Sequence, residues 1–286
     1  MTVTHAGIHP MTADEYHADP IPGGSLSSSG ARKLLPPSCP ALFRHEQLHG
    51  QPHKAVFDLG HAAHRLVLSA GADIIQLDAD DYRRKATREA RDNAYAEGLI
   101  PVLPDEYQCV TAMASALLRH PIAAALLNHA AGKPEQALFW PDPETGVWRR
   151  ALIDFMPDPV SGRRMIVPDY KTARCASNDA FQRAAAEYGY HQQGAWYLDG
   201  VECLDISYDA AFVFIVQEKT APYLVNVIEL DSTAMKIGRA LNRRALRVYA
   251  ECRETDQWPG YSDDVEHISL PYWYESRKLA EIEVAA

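Results

Sequence analysis

Val167-Pro168-Asp169-Tyr170-Lys171-Thr172 decides the reading of this chain. The stretch closes an apolar run, Met165 to Lys171, that reads as a β-strand. Asp169 and Lys171 are two residues apart, so on a strand both side chains project to one face. A carboxylate beside an ammonium at a strand end is often a surface ion pair of little consequence. The segment before it changes the weighting. In Ala151-Leu152-Ile153-Asp154 a second apolar run ends abruptly on a charge, and the turn residues Asp158 to Arg163 separate the two runs. Two antiparallel strands so joined bring Asp154 and Asp169 side by side. Paired carboxylates repel unless a cation lies between them, and an oxygen-rich pair suits Mg²⁺, with Mn²⁺ as a substitute. Such an ion polarises a phosphodiester, and a neighbouring lysine orients water or offsets developing negative charge.

Working outward, Glu135 to Trp140 and Val147 to Phe155 read as a hairpin around Asp142-Pro143-Glu144-Thr145-Gly146. Downstream, helices are expected over Asn178–Glu187 and Tyr190–Leu198, strands over Ala210–Gln217 and Tyr223–Leu230, and a long helix over Ser232–Glu254. Upstream the chain is turn-rich to Ser25. A short helix, Gly30–Leu35, follows the caps Ser27-Ser28-Ser29 and stops at Pro36-Pro37. Longer helices are expected over Lys54–Leu68, Asp81–Gly98 and Asp105–Leu127. The pattern implies an α/β fold, a mixed central sheet of about five strands flanked by helices. It is expected to be a single domain over 1–286, with a mainly helical part at 1–130 carrying His64 and a sheet core at 131–286 carrying the metal site.

Composition bounds the function. The hydrophobic fraction of 47% and charged fraction of 23% are those of an ordinary globular chain rather than a disordered one. No apolar stretch is long enough to span a bilayer, and Met1 to Pro10 lacks signal-peptide character, so a cytoplasmic protein with no membrane partner is expected. The five cysteines are scattered, odd in number and without a CxxC pair, which argues against a disulfide framework and against zinc or iron–sulfur. The net charge of -10 weighs against nucleic-acid binding, but it says nothing of charge distribution. Arginines cluster at Arg83-Arg84-Lys85 with Arg88 and Arg91, at Arg149-Arg150, at Arg163-Arg164, and at Arg239, Arg243, Arg244 and Arg247. For any one cluster a solvated helix face is the plainer reading. Arg83, Arg84, Arg88, Arg149 and Arg150 are the candidate DNA contacts.

Two helices carry further candidates. Gln193 and Tyr197 stand at i and i+4, on one face. Gly60 and His64 are likewise one turn apart. A histidine in an amphipathic helix is more often structural or exposed, and the functional alternative is a neutral imidazole ligand.

Taken in order, Gly60…His64, Asp154, Asp169-Tyr170-Lys171 and Gln193…Tyr197 resemble the motif series of RecB-like members of the PD-(D/E)xK nuclease superfamily. The wider text is similar to the exonuclease VIII (RecE-type) nuclease domain and its phage relatives, through Tyr16-His17, Leu26 to Ser29, Phe57 to His64, Glu135 to Trp140, Pro168 to Thr172 and Tyr190 to Gly200. The resemblance spans about Met11 to Trp273. It implies a restriction-endonuclease-like core and a metal-dependent exodeoxyribonuclease that hydrolyses phosphodiesters. Asp154 and Asp169 would be metal-ligand carboxylates, the Tyr170 carbonyl a backbone ligand, His64 an additional ligand and Lys171 the catalytic lysine. Gln193 and Tyr197 would support the lysine and contact DNA, and Glu135 matches a further acidic position. Relatives often carry Arg two residues before the first Asp, where this chain has Leu152; Arg149 and Arg150 are the nearby substitutes. The resemblance also implies linear duplex DNA ends as substrate, a single-strand-annealing partner in phage- or RecE-type recombination, and a ring-shaped homo-oligomer. Two other readings stand beside it. One is a single-strand exonuclease, whose relatives carry a cysteine cluster that this chain lacks. The other is a non-catalytic DNA-end-binding module, which has no need of the Asp–Asp–Lys set.

Overall fold

A computed structural model describes residues 2–50 and 58–285. The N-terminal part contains β1 (Gly7–His9), α1 (Ala13–His17), β2 (Leu26–Ser27), α2 (Ser28–Lys33), α3 (Pro40–His49), α4 (Asp58–Leu68), β3 (Ile74–Gln76), α5 (Lys85–Ala96), β4 (Ile100–Val102), α6 (Pro104–Arg119) and α7 (Pro121–Leu126). Local chemistry accounts for many of the boundaries. Thr12 and Glu15 form a reciprocal capping box at α1, and the Ser27 hydroxyl accepts the Gly30 N–H at the start of α2. The single helix expected over 105–127 is two helices, because Pro121 lacks an N–H and disfavours helical backbone at His120. The expected helix over 81–98 is shortened to α5, as the Asp81 carboxylate accepts the Arg83 N–H in a turn and Gly98 takes φ 72°. The turn-rich start holds β1 and α1, which are short and carry no clear periodicity. The expected helix from Lys54 to Leu68 corresponds to α4 from Asp58; its residues 54–57, and Phe57 of the motif text, lie outside the described residues.

After a 3₁₀ turn at His129–Ala131 the chain forms β5 (Gly132–Pro141), β6 (Trp148–Pro157), β7 (Met165–Ala173), α8 (Asn178–Tyr188), α9 (Tyr190–Cys203), β8 (Ala210–Glu218), β9 (Val225–Glu229), α10 (Ser232–Thr255) and α11 (Tyr272–Ala285). All five expected strands are present, but they do not form one hydrogen-bonded sheet. Among the described residues there are three small sheets, ordered β1-β5-β6-β2, β3-β4 and β7-β8-β9. β5 and β6 are antiparallel, β7 and β8 parallel, and β8 and β9 antiparallel. β6 and β7 are therefore not the hydrogen-bonded antiparallel pair expected. The link between them at the site is a side chain: the Asp154 carboxylate accepts the Tyr170 N–H at 2.8 Å.

Strict alternation along β6 buries Arg149, Ala151, Ile153 and Phe155 and leaves Arg150, Leu152 and Asp154 half-buried on the other face. The main core gathers Trp140, Ile153, Val167, Trp196, Phe214 and Tyr249. A second cluster joins Ala63 and Leu68 of α4 and Met113 and Leu117 of α6 to Phe155, Tyr170 and Ile215. This second cluster sets α4 against β6 and β7, and so brings His64 to Asp154. No helix among the described residues is long and apolar enough to cross a membrane. All five cysteines are free thiols.

Candidate active site

Asp154, Asp169, Lys171, His64 and Gln193 converge from four elements. Lys171 Nζ stands 2.6 Å from Asp169 Oδ2, as their shared strand face requires. Gln193 Nε2 donates to Asp169 Oδ1 at 2.7 Å. His64 Nε2 stands 3.3 Å from Asp154 Oδ1, and His64 Nδ1 lies 3.9 Å from Glu135 Oε1. Pro134 pairs with Phe155 and Gln136 with Ile153, so Glu135 falls opposite Asp154 on the neighbouring strand. Its φ of 45° is rare for a non-glycine residue inside a strand. Tyr197 interacts with Gln193 one turn along α9 and meets Phe212 edge-on at 5.5 Å.

The charges are interdependent. Burial pushes the Asp169 carboxyl up to about 6; Lys171 opposes this and the Asp154 charge adds to it. Burial works against ionisation of Asp154 too, but His64, Lys171 and the Tyr170 N–H together hold it below the usual carboxylate range. Burial would lower His64, yet Asp154 and Glu135 raise it. Lys171 is raised despite burial by Asp169 and Asp154. Glu135 is raised mainly by burial. The result is two adjacent carboxylates, Asp169 buried and Asp154 half-buried, in unlike protonation environments, with one ammonium and one imidazole against them.

The structure brings together His64, Glu135, Asp154, Asp169, Lys171, Gln193 and Tyr197. Tyr170 is between the acid and the lysine, its side chain turned to the opposite side, where its hydroxyl donates to Gln217 Oε1 at 2.7 Å. The two nearest arginine candidates are corrected. Arg149 is 1% exposed, with its guanidinium 4.0 Å from the Trp196 ring centroid and 4.9 Å from that of Trp140. It hydrogen-bonds Asp199 at 3.0 Å and faces Asp142 at 3.8 Å, so alternation along β6 has turned it into the core, away from any phosphate. Arg150 is bound to Asp19 at 2.5 Å and to the Ser25 hydroxyl at 2.8 Å, which ties the N-terminal loop to β6. Arg83, Arg84 and Arg88 are exposed on and before α5. Two residues of the site were not singled out from the sequence. Gln217, fully buried, holds the Tyr170 hydroxyl and also donates to the Met113 carbonyl. Tyr190 places its ring centroid 5.6 Å from Lys171 Nζ. Its spacing of three from Gln193 put it on the same helix face, and it opens the Tyr190 to Gly200 stretch that carries the resemblance.

The donor set fits a hard divalent cation. Asp169 Oδ2 is buried, and the Lys171 ammonium stands against it at 2.6 Å. The neighbouring donors are mainly carboxylate oxygens, as Mg²⁺ and Mn²⁺ prefer, with one imidazole beside them. His64 and Lys171 now engage these oxygens, and among the described residues no group of three or more His, Cys, Asp or Glu is arranged to hold a metal ion.

A family model described as a PDDEXK-like domain of unknown function (DUF3799) matches residues 28–271. A crystal structure of a protein from Eubacterium rectale, named "Putative exonuclease", superposes with a TM-score of 0.55 at 12% identity, covering 94% of this chain and 98% of that one. At that identity the likeness is one of fold. No curated protein matches the chain.

Proposed function

Since the chain belongs to the PDDEXK-like domain family DUF3799, we propose that it is a nuclease of PD-(D/E)xK type, specifically a Mg²⁺-dependent exonuclease acting on the ends of double-stranded DNA. The observation that carries the reading is the juxtaposition at β7: Lys171 against Asp169 at 2.6 Å, with Asp154 joined to the intervening Tyr170 N–H at 2.8 Å. Asp154, Asp169, the Tyr170 carbonyl and His64 would hold the ion, with Glu135 in reserve behind His64. Bound there, a divalent cation supplies Lewis-acid stabilisation for a phosphodiester under attack. Lys171 presents an ammonium that orients the attacking water and offsets negative charge as it develops on phosphorus oxygens. Gln193 fixes the Asp169 carboxylate, and Tyr197 supports Gln193.

The finer reading comes from the RecB-like and RecE-type resemblance, which adds duplex ends, a strand-annealing partner and a ring-shaped homo-oligomer to the proposal. Purified protein incubated with end-labelled linear duplex and closed circular duplex, each with and without Mg²⁺, tests the activity. Loss of the linear molecule alone, and only with Mg²⁺, is expected. Equal cutting of circles would replace the exonuclease reading with an endonuclease one, and no cutting of either would favour the binding module.

A further inference from the structure

An aromatic step leads away from Lys171, and its outer ring, Tyr188, lies outside all of the motifs. Tyr190, at the first turn of α9, has its ring 5.6 Å from Lys171 Nζ. The Tyr188 ring follows at 5.9 Å from that of Tyr190 and is 48% exposed. Phe181 stacks on Tyr190 at 5.7 Å, so the step rests on the core and is not a pair of loose side chains. The Arg32 guanidinium donates to the Tyr188 carbonyl, at the αL turn through Gly189 that joins α8 to α9. Tyr188, Phe181, Arg32, Lys33 and Gln192 all line one cavity of about 1140 Å³. Two of the cavity's acids are engaged elsewhere, Glu229 with Arg164 at 3.4 Å and Asp231 as the cap of α10; Glu187 is the third.

We propose that Tyr188 and Tyr190, flanked by Arg32, form a stacking step for unpaired nucleotides of a DNA strand, leading from Lys171 toward this cavity; the proposal rests on the nuclease reading above. The chemistry is specific to that ligand class. A strand leaving the scissile position offers alternating flat bases and anionic phosphates. An exposed tyrosine ring such as that of Tyr188 takes a base of any sequence by stacking, while an arginine beside it meets the phosphate. Inside a duplex the base faces are already stacked on one another, so beyond the terminal pair only a frayed or unwound end supplies them. The exposed Tyr188 ring is the surface on which a base stacks, and Tyr190 carries the step to the reacting site.

The test is the affinity of the full chain for a labelled oligothymidylate of about 16 nucleotides, in EDTA so that turnover does not compete. Tyr188→Ala is expected to weaken binding roughly five- to hundredfold, while Tyr188→Phe and Tyr188→Trp keep it, since the ring and not the hydroxyl is required. Arg32→Gln is expected to lower the salt slope of binding by about one phosphate contact. Tyr190→Ala is expected to act like Tyr188→Ala; because Tyr190 also packs on Phe214, the exposed Tyr188 is the decisive position. If the wild-type protein degrades linear DNA but Tyr188→Ala binds the oligomer within twofold of wild type, the stacking step is wrong and the nuclease reading stands. If the wild-type protein neither cleaves nor binds DNA, the nuclease reading fails and the step falls with it.

Discussion

Asp169 is buried against Asp154, and its carboxyl is pushed up to about 6 although Lys171 is 2.6 Å away. A group held so is not there for stability. Asp169→Asn keeps the Gln193 hydrogen bond and removes the charge, so cleavage should be lost while the circular dichroism spectrum stays that of the folded protein. Near-normal activity in this variant would remove Asp169 from the site. Lys171→Ala should bind DNA as wild type and turn over roughly 100-fold more slowly in single-turnover assays, because a preorganised ammonium acts on the transition state. Loss of affinity with an unchanged saturated rate would make Lys171 a phosphate anchor instead. Arg149 behaves oppositely. Its charge is buried with Asp142 and Asp199, so Arg149→Met should lower stability by about 3 kcal/mol or more and leave the salt dependence of DNA binding unchanged. Burial disfavours the Asp142 carboxylate, but the Thr145 hydrogen bonds with Arg243 and Arg149 hold it below the usual carboxylate range. A depressed carboxyl contributes stability above the unfolded value of about 4 and loses it as pH falls through the folded one. Acid unfolding followed by circular dichroism should therefore be shallower in Asp142→Asn, from a lower starting stability.

α9 is the element on which the site depends, since it carries Gln193 and Tyr197 and holds Tyr190 beside Lys171. It is seated by α10 at Gly238, where an added Cβ would come within 2.1 Å of the His191 carbonyl oxygen. The buried pair Gln192 and Asn242 bridges the same two helices, with Asn242 Nδ2 donating to the Gln192 carbonyl at 2.9 Å. Gly238→Ala must separate the helices. Overpacking of this kind should cost about 1–3 kcal/mol, read as a lower denaturant midpoint, and should lower the cleavage rate with it. An unchanged midpoint would mean that the α9–α10 contact does not hold the site. α5, by contrast, presents Arg88 to solvent with Arg83 and Arg84 just before it. If those arginines meet DNA, changing them to alanine should weaken binding in a salt-dependent way and spare the rate at saturation.

Across the whole molecule, the helical N-terminal part packs behind the candidate site. Cluster packing of α4 and α6 on Phe155 and Tyr170 carries His64 to Asp154, across roughly ninety residues of chain. The C-terminal segment is different. Val265, Ile268, Tyr272, Trp273 and Val284 are exposed, and α11 contributes no residue to the main core or the second cluster. A chain ending at Gly260 should keep the melting temperature of the full protein to within about 2 °C, since exposed side chains contribute little. A large drop would show that this segment covers the core in solution.

Asp169-x-Lys171 and Gln193…Tyr197 were legible as same-face pairs because strand and helix periodicities are local: a spacing of two or four fixes a shared face before any tertiary contact forms; the place of Asp154 beside them rested on an antiparallel pairing that did not form and on the resemblance. The five long strands were legible for the same reason. Division of the strands into separate sheets was not, because hydrogen bonding between β6 and β7 depends on how two sheets twist and pack, not on either strand's composition. Nor was the fate of the two arginines on β6. Adjacent in sequence, Arg149 and Arg150 project to opposite faces, and only packing decided that one would lie between Trp140 and Trp196 and the other against Asp19. Tyr190 shows the same limit: its helix face could be read from spacing, but its approach to Lys171 required α8, α9 and β7 to be assembled, since long-range contacts arise from burial shared by many residues.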